Sequence, residues 1–157
     1  MVGWESLLLE NKGDGTFADA ADKGGVFFRT KIRARGSFVL DFDNDGRMDV
    51  LVTAMGDRVF LLRNRDQSGN HWLTLDLQGT KSNRDGFGAR ITVTVGGRRQ
   101  YTEARCQAAF LGTSDRRVHF GLGPGETVDK IEIKWPSGTV QILNNVPADQ
   151  ILKETEP

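Results

Sequence analysis

The chain has 157 residues, enough for one compact unit or two small domains packed together, and its 21 lysines and arginines balance 21 aspartates and glutamates. That balance leaves no net field to draw it onto nucleic acid or an anionic membrane, and no apolar run is long enough for membrane insertion. The single cysteine, Cys106, excludes an internal disulfide, and two histidines without a second cysteine make no zinc site.

In chain order, the opening MVGWESLLLEN lacks the basic segment and long apolar stretch of an export signal, so no signal peptide is expected in this chain. Nineteen glycines punctuate short runs rich in valine, isoleucine, threonine and phenylalanine, the pattern of an all-β protein with many turns. Strands are expected at 7–10, 37–40, 49–54, 58–63, 71–77, 89–95, 98–105, 118–121, 130–135 and 139–143. Ala89, Ile91, Val93 and Val95 alternate with Arg90, Thr92 and Thr94, as a half-buried strand requires. Gly96 and Gly97 then close a hairpin, because both central positions of a type I′ turn need positive φ. By the same alternation Ile131, Ile133 and Trp135 point inward, and Pro136, Ser137 and Gly138 turn the chain into the next strand. The tail offers one apolar pair, Ile151 and Leu152, consistent with a short strand or a single helical turn. Composition shifts at the polar loop 81–88, read as the boundary between the halves. The hexapeptide SLLLEN at 6–11 is echoed by VFLLRN at 59–64, each followed by a glycine-containing loop.

The stretch 41–49, DFDNDGRMD, places carboxylates at alternate positions, then a glycine for a sharp turn, then a fourth carboxylate. Calcium takes six to eight hard oxygen ligands, and one contiguous loop here supplies them: the side chains of Asp41, Asp43, Asp45 and Asp49 and the backbone carbonyl of Arg47. Four carboxylates so close repel one another unless a cation joins them. An EF-hand is excluded, since the bidentate glutamate of its twelfth position is replaced by Val52 and the flanks read as strands, not helices. The loop is therefore expected to join two strands and to hold Ca2+.

With those flanks, DFDNDGRMDVLVT resembles the calcium loop of an FG-GAP (VCBS) repeat, the unit of integrin-type β-propellers, and LLLENKGDGTFADAADKGG is similar to the blade connector that precedes such a loop. From Asn70 onward, NHWLTLDLQGTKSNRDGFGARITVTVGGRRQ and VHFGLGPGETVDKIEIKWPSGTVQILNNVPADQ resemble the ASPIC/UnbV domain. The resemblance divides the chain into a repeat region at 1–69 and an ASPIC/UnbV-like β domain at 70–157. It implies an antiparallel sandwich-like or partial-barrel body with one propeller-blade-like calcium repeat packed at its N-terminal side. One blade does not close a propeller, so the repeat either ends a longer array or packs directly on the second half. The implied function is a non-enzymatic calcium-binding module for interaction or adhesion, extracellular or periplasmic, with a protein or glycan partner and self-association left open. No catalytic residues carry over.

The alternative is a carbohydrate-binding module on a sandwich scaffold, with Trp72 as the residue to suspect in sugar stacking; its competing reading is packing between the halves, which is preferred. His71 falls in phase with Leu73, Leu75 and Leu77 and reads as a satisfied structural histidine, whereas His119 is expected in solvent. Asn83 to Gly88 reads as a tight turn before it reads as a ligand loop. Cys106 has no positioned base and is expected to be a buried or incidental thiol.

Overall fold

A computed structural model describes residues 3–106 and 108–157, so Met1 and Val2, at the start of the expected 1–69 region, and Gln107 lie outside the described residues. The chain is all-β. In its first part β1 (Leu9–Asn11) pairs antiparallel with β2 (Phe17–Asp19), a 3-10 turn spans Val26–Arg29, and β3 (Ala34–Leu40), β4 (Asp49–Ala54) and β5 (Phe60–Leu62) form an antiparallel sheet in that order. The echo between SLLLEN and VFLLRN has a physical basis. Asn11, the last residue of β1, and Asn64, two residues past β5, each accept on the side-chain oxygen the N–H two residues on, from Gly13 at 2.8 Å and Asp66 at 3.0 Å.

The second part contributes β6 (His71–Gln78), β7 (Arg90–Val95), β8 (Arg98–Glu103), β9 (Ala108–Ala109), β10 (Gly112–Thr113), β11 (Val118–Gly123), β12 (Thr127–Lys134), β13 (Val140–Pro147) and β14 (Gln150–Thr155). Two sheets, β11-β6-β14 and β13-β12-β7-β8, enclose one core. Leu73, Leu75 and Leu77 of β6 and Val118 and Phe120 of β11 meet Ile91, Val93, Val128, Ile131 and Ile133 of β7 and β12. Leu73, Leu75, Ile91, Ile131 and Ile133 are sealed from solvent, and each stabilises the sandwich by about 1.5–3 kcal/mol relative to exposure. Gly96 and Gly97, both at positive φ, make the tight turn between β7 and β8 as the sequence predicts. The loop 81–88 connects β6 to β7, two strands that both contribute to this core. Asn83 folds it by accepting from the Phe87 N–H and donating to the Phe87 carbonyl.

Apolar burial is unequal. Among the described residues, the buried hydrophobic side chains before β6 are Ala20, Ala21, Ile32 and Val52, while Trp4, Leu7, Leu9, Phe17, Val26, Phe42 and Val59 are exposed. The first part thus has little core of its own, and its shape depends on hydrogen bonds, charges and docking.

Of the two forms open to the C-terminal tail, the structure takes the strand and extends it: β13 runs on to Pro147 and β14 is a six-residue strand lying parallel to β6, with Leu152 opposite Leu75. Its anchor is Glu156, 2% exposed. One carboxylate oxygen accepts the N–H groups of Thr80, Lys81 and Ser82 at 2.9, 2.8 and 2.7 Å, a nest of backbone donors; the other accepts the hydroxyls of Ser82 and Ser137. Burial alone would raise this carboxyl, but the Ser137 hydroxyl and the Ser82 and Thr80 donors outweigh it and hold it down at about 2, against 4.5 ordinarily. A depressed folded value means the charged form stabilises the fold above pH 4.5, and that stabilisation is lost as pH falls toward 2. Glu156→Gln should therefore melt several degrees below the native chain near pH 7, with the gap closing as pH is lowered through that window. Paired melting curves at stepped pH check this.

Candidate metal centre

The acidic loop joins β3 to β4, in register Leu40 opposite Asp49, so it leaves and re-enters one hairpin as the alternating flanks predict. Its first and last carboxylates shape it. Asp41 is buried and accepts the N–H groups of Asp45 and Gly46 on its two oxygens, at 3.0 and 2.9 Å. Asp49, 1% exposed, accepts the Phe42 N–H at 3.1 Å and the Asn64 N–H at 2.7 Å, tying the loop's start to the segment after β5. Each of these oxygens keeps a free lone pair, since a carboxylate offers about four acceptor sites.

Asp41, Asp43 and Asp49 bring one oxygen each within 4.8 Å of one another. Neither Asp41 nor Asp49 forms an ion pair among the described residues. Two buried carboxylates and a third at the rim, all hard oxygen donors, suit a hard divalent cation in both charge and chemistry. Asp45 stands apart from this triple. Burial works against its ionisation, but the Arg47 N–H and guanidinium hold its carboxyl below the usual range, and Arg63 adds to them. Arg47, expected to give its carbonyl, also donates from its side chain to the Asn64 carbonyl at 3.3 Å. Arg63 spans the solvent side, on Asp43 at 2.5 Å and Asp45 at 3.5 Å.

The second half grips the loop from the other side. Trp72, out of phase with the core leucines, leans over Gly46 so closely that a Cβ there would fall inside the indole. It also stacks on His119, ring centroids 6.2 Å apart and planes 19° apart. Packing between the halves, the preferred reading of Trp72, is what the structure shows. His119 is not in solvent as expected: the indole covers it, its Nδ1 meets the Thr74 hydroxyl at 3.0 Å, and burial lowers its pKa despite the opposing charge of Asp41. Arg117 donates to the Asn44 side-chain oxygen at 2.7 Å and to the Asp41 carbonyl at 3.3 Å. His71 is satisfied by Asp149, 2.6 Å from its Nδ1, at the margin of the core and outside it. Cys106 is exposed, which leaves the incidental-thiol reading and removes the buried one.

Against known proteins, a model of the ASPIC and UnbV domain matches residues 79–157, half of the chain. The chain belongs to the ASPIC/UnbV family. A model of the FG-GAP-like repeat matches residues 4–52 and so takes in the whole acidic loop. The ASPIC/UnbV match begins after β6, although β6 supplies three leucines to that domain's core. Cartilage acidic protein 1 from Homo sapiens is 26% identical over 125 residues, covering 76% of this chain and 18% of that protein. Its counterpart from Xenopus tropicalis is 26% identical over 114 residues, 69% of this chain and 17% of that protein, and that from Mus musculus 27% over 112 residues, 68% and 17%. The chain therefore spans less than a fifth of the length of these relatives, 17–18%. Among the described residues no helix is long and apolar enough to cross a membrane.

Sequence reasoning singled out the loop but not Arg63, Asn64 or Arg117. Asn64 had a signal, the asparagine of the echoed hexapeptide. The arginines had none, because their partners lie far away in sequence.

Proposed function

We propose that the chain is a calcium-binding, non-enzymatic interaction module of the extracytoplasmic space, in which the cation sits at Asp41, Asp43 and Asp49. The observation that carries this is the convergence of two buried, ion-unpaired carboxylates with a third inside a loop matched by the FG-GAP-like repeat model. A bound calcium would offset most of the charge of these three carboxylates and cross-link the loop. The residues of the chain do the rest: Asp41 and Asp49 fix the loop by their backbone bonds, and Asp43 would exchange its ion pair with Arg63 for the cation. Asp45 and the Arg47 carbonyl complete the proposed set once Asp45 leaves its arginines. Weak extracellular calcium modules bind in the range of about 0.1–1 mM, which suits a site with one ligand at an exposed rim.

A glycan platform is less well supported, since the indole suspected of sugar stacking packs on Gly46 and His119.

The test is thermal unfolding in chelator, calcium and magnesium. At free calcium about a hundredfold above Kd, linkage adds roughly 2.7 kcal/mol, which raises Tm by about 5–10 °C for a chain of this size. Magnesium should do less, because it demands a tighter octahedral shell. Asp43→Ala should remove most of the shift and Asp85→Ala, outside the loop, should keep it. A native melt indifferent to calcium contradicts the proposal.

A further inference from the structure

We infer that Trp72 and Arg117, both carried by the C-terminal sandwich, are positioning residues for the cation loop, so that cation binding and docking of the two halves form one linked equilibrium. The inference rests on the calcium reading of the loop given above.

Two residues of the loop, Asn44 and Gly46, sit in the left-handed region, at φ of 57° and 83°. Such positions set the curvature that turns Asp43 and Asp49 toward Asp41; glycine and asparagine tolerate them, and contacts from outside the loop select them from the other conformations open to these residues. Both are held from the other half. Arg117 donates to Asn44, and the indole of Trp72 lies on Gly46. The holders are themselves fixed. Asp115 accepts from the Arg117 guanidinium at 2.8 and 2.6 Å, and its own N–H donates at 3.0 Å to the carbonyl of Val39, two residues before Asp41. The backbone of Trp72 exchanges hydrogen bonds with Asp149 at 3.2 and 2.7 Å. The repeat part has too little buried apolar surface to impose this geometry alone.

Coupling of this kind is reciprocal: whatever factor the docked sandwich adds to cation affinity, the cation adds to docking. The sign of the effect separates positioning from plain electrostatics. Arg117 is a cation close to the site, and its removal would leave Asp115 uncompensated, so Coulomb's law alone predicts tighter calcium binding in Arg117→Gln. Positioning predicts the reverse.

The experiment is calorimetric titration of the full chain with calcium. Trp72→Ala and Arg117→Gln should each raise Kd about tenfold. Trp72→Phe, which keeps a ring over Gly46, should stay within about twofold of the native chain, as should Arg116→Gln, whose partners are Asp76 and Asp85 and not the loop. If Trp72→Ala does not fold, Arg117→Gln decides. A native chain that binds calcium while Arg117→Gln binds equally or more tightly overturns the inference and leaves the calcium reading intact. A native chain that takes up no calcium overturns both.

Discussion

Gly46→Ala should lower the melting temperature of the chain by about 6–12 °C in calcium-containing buffer. Two costs add. An L-residue at φ 83° carries roughly 1–2 kcal/mol of left-handed strain, and the new methyl group must displace the Trp72 indole, an overpacking cost of about 1–3 kcal/mol. A total near 3 kcal/mol converts to that shift at about 2–4 °C per kcal/mol for this length. The two costs are separable by a double-mutant cycle with Trp72→Ala. Removing the indole should recover the overpacking part and leave the backbone part, so the double variant should be more stable than the sum of the single changes implies. Strict additivity would mean that the indole and Gly46 do not touch in solution.

Asp49→Ala should be the most damaging change to a carboxylate of the loop. It removes two part-buried hydrogen bonds from the Phe42 and Asn64 N–H groups to a charged acceptor, a kind worth about 1.5–3 kcal/mol each, and it frees the segment after β5 from the start of the loop. A loss of about 2–5 kcal/mol is expected by urea denaturation. The loss should be larger in calcium than in chelator, because only in calcium is a ligand removed as well. Asp43→Ala, at the exposed rim, should cost little in chelator and show its effect only when calcium is added. The contrast between the two variants distinguishes a residue that shapes the loop from one that serves the cation alone.

How much of this was legible in the sequence follows from whether the deciding interaction is local. The hairpin β3–β4, the Gly96-Gly97 turn and the inward set Ile131, Ile133 and Trp135 are written in strict alternation and turn chemistry, and they appear where the pattern puts them. The alternate carboxylates of the loop likewise declare themselves, because the ligand pattern is contiguous. β14 was hidden. Its alternation is weak, its isoleucine is partly exposed, and it is held by parallel pairing with β6 and by Glu156 in the nest of the 80–82 backbone. His119 looked solvent-facing because strand alternation assigns a face but not what covers that face, and here the cover is Trp72 from the neighbouring strand. Arg63 and Arg117 carry no sequence signal at all. An arginine announces its partner only through the fold, and both of these turn toward the loop from other elements.

The most direct measurement is a high-resolution crystal structure of the full chain grown in millimolar calcium. The account predicts one ion coordinated by oxygens of Asp41, Asp43 and Asp49 at about 2.3–2.6 Å, with Asp43 released from Arg63 and the Trp72 indole still over Gly46. A loop that holds only water, with Arg63 still on Asp43 and no ion among the three carboxylates, would contradict it.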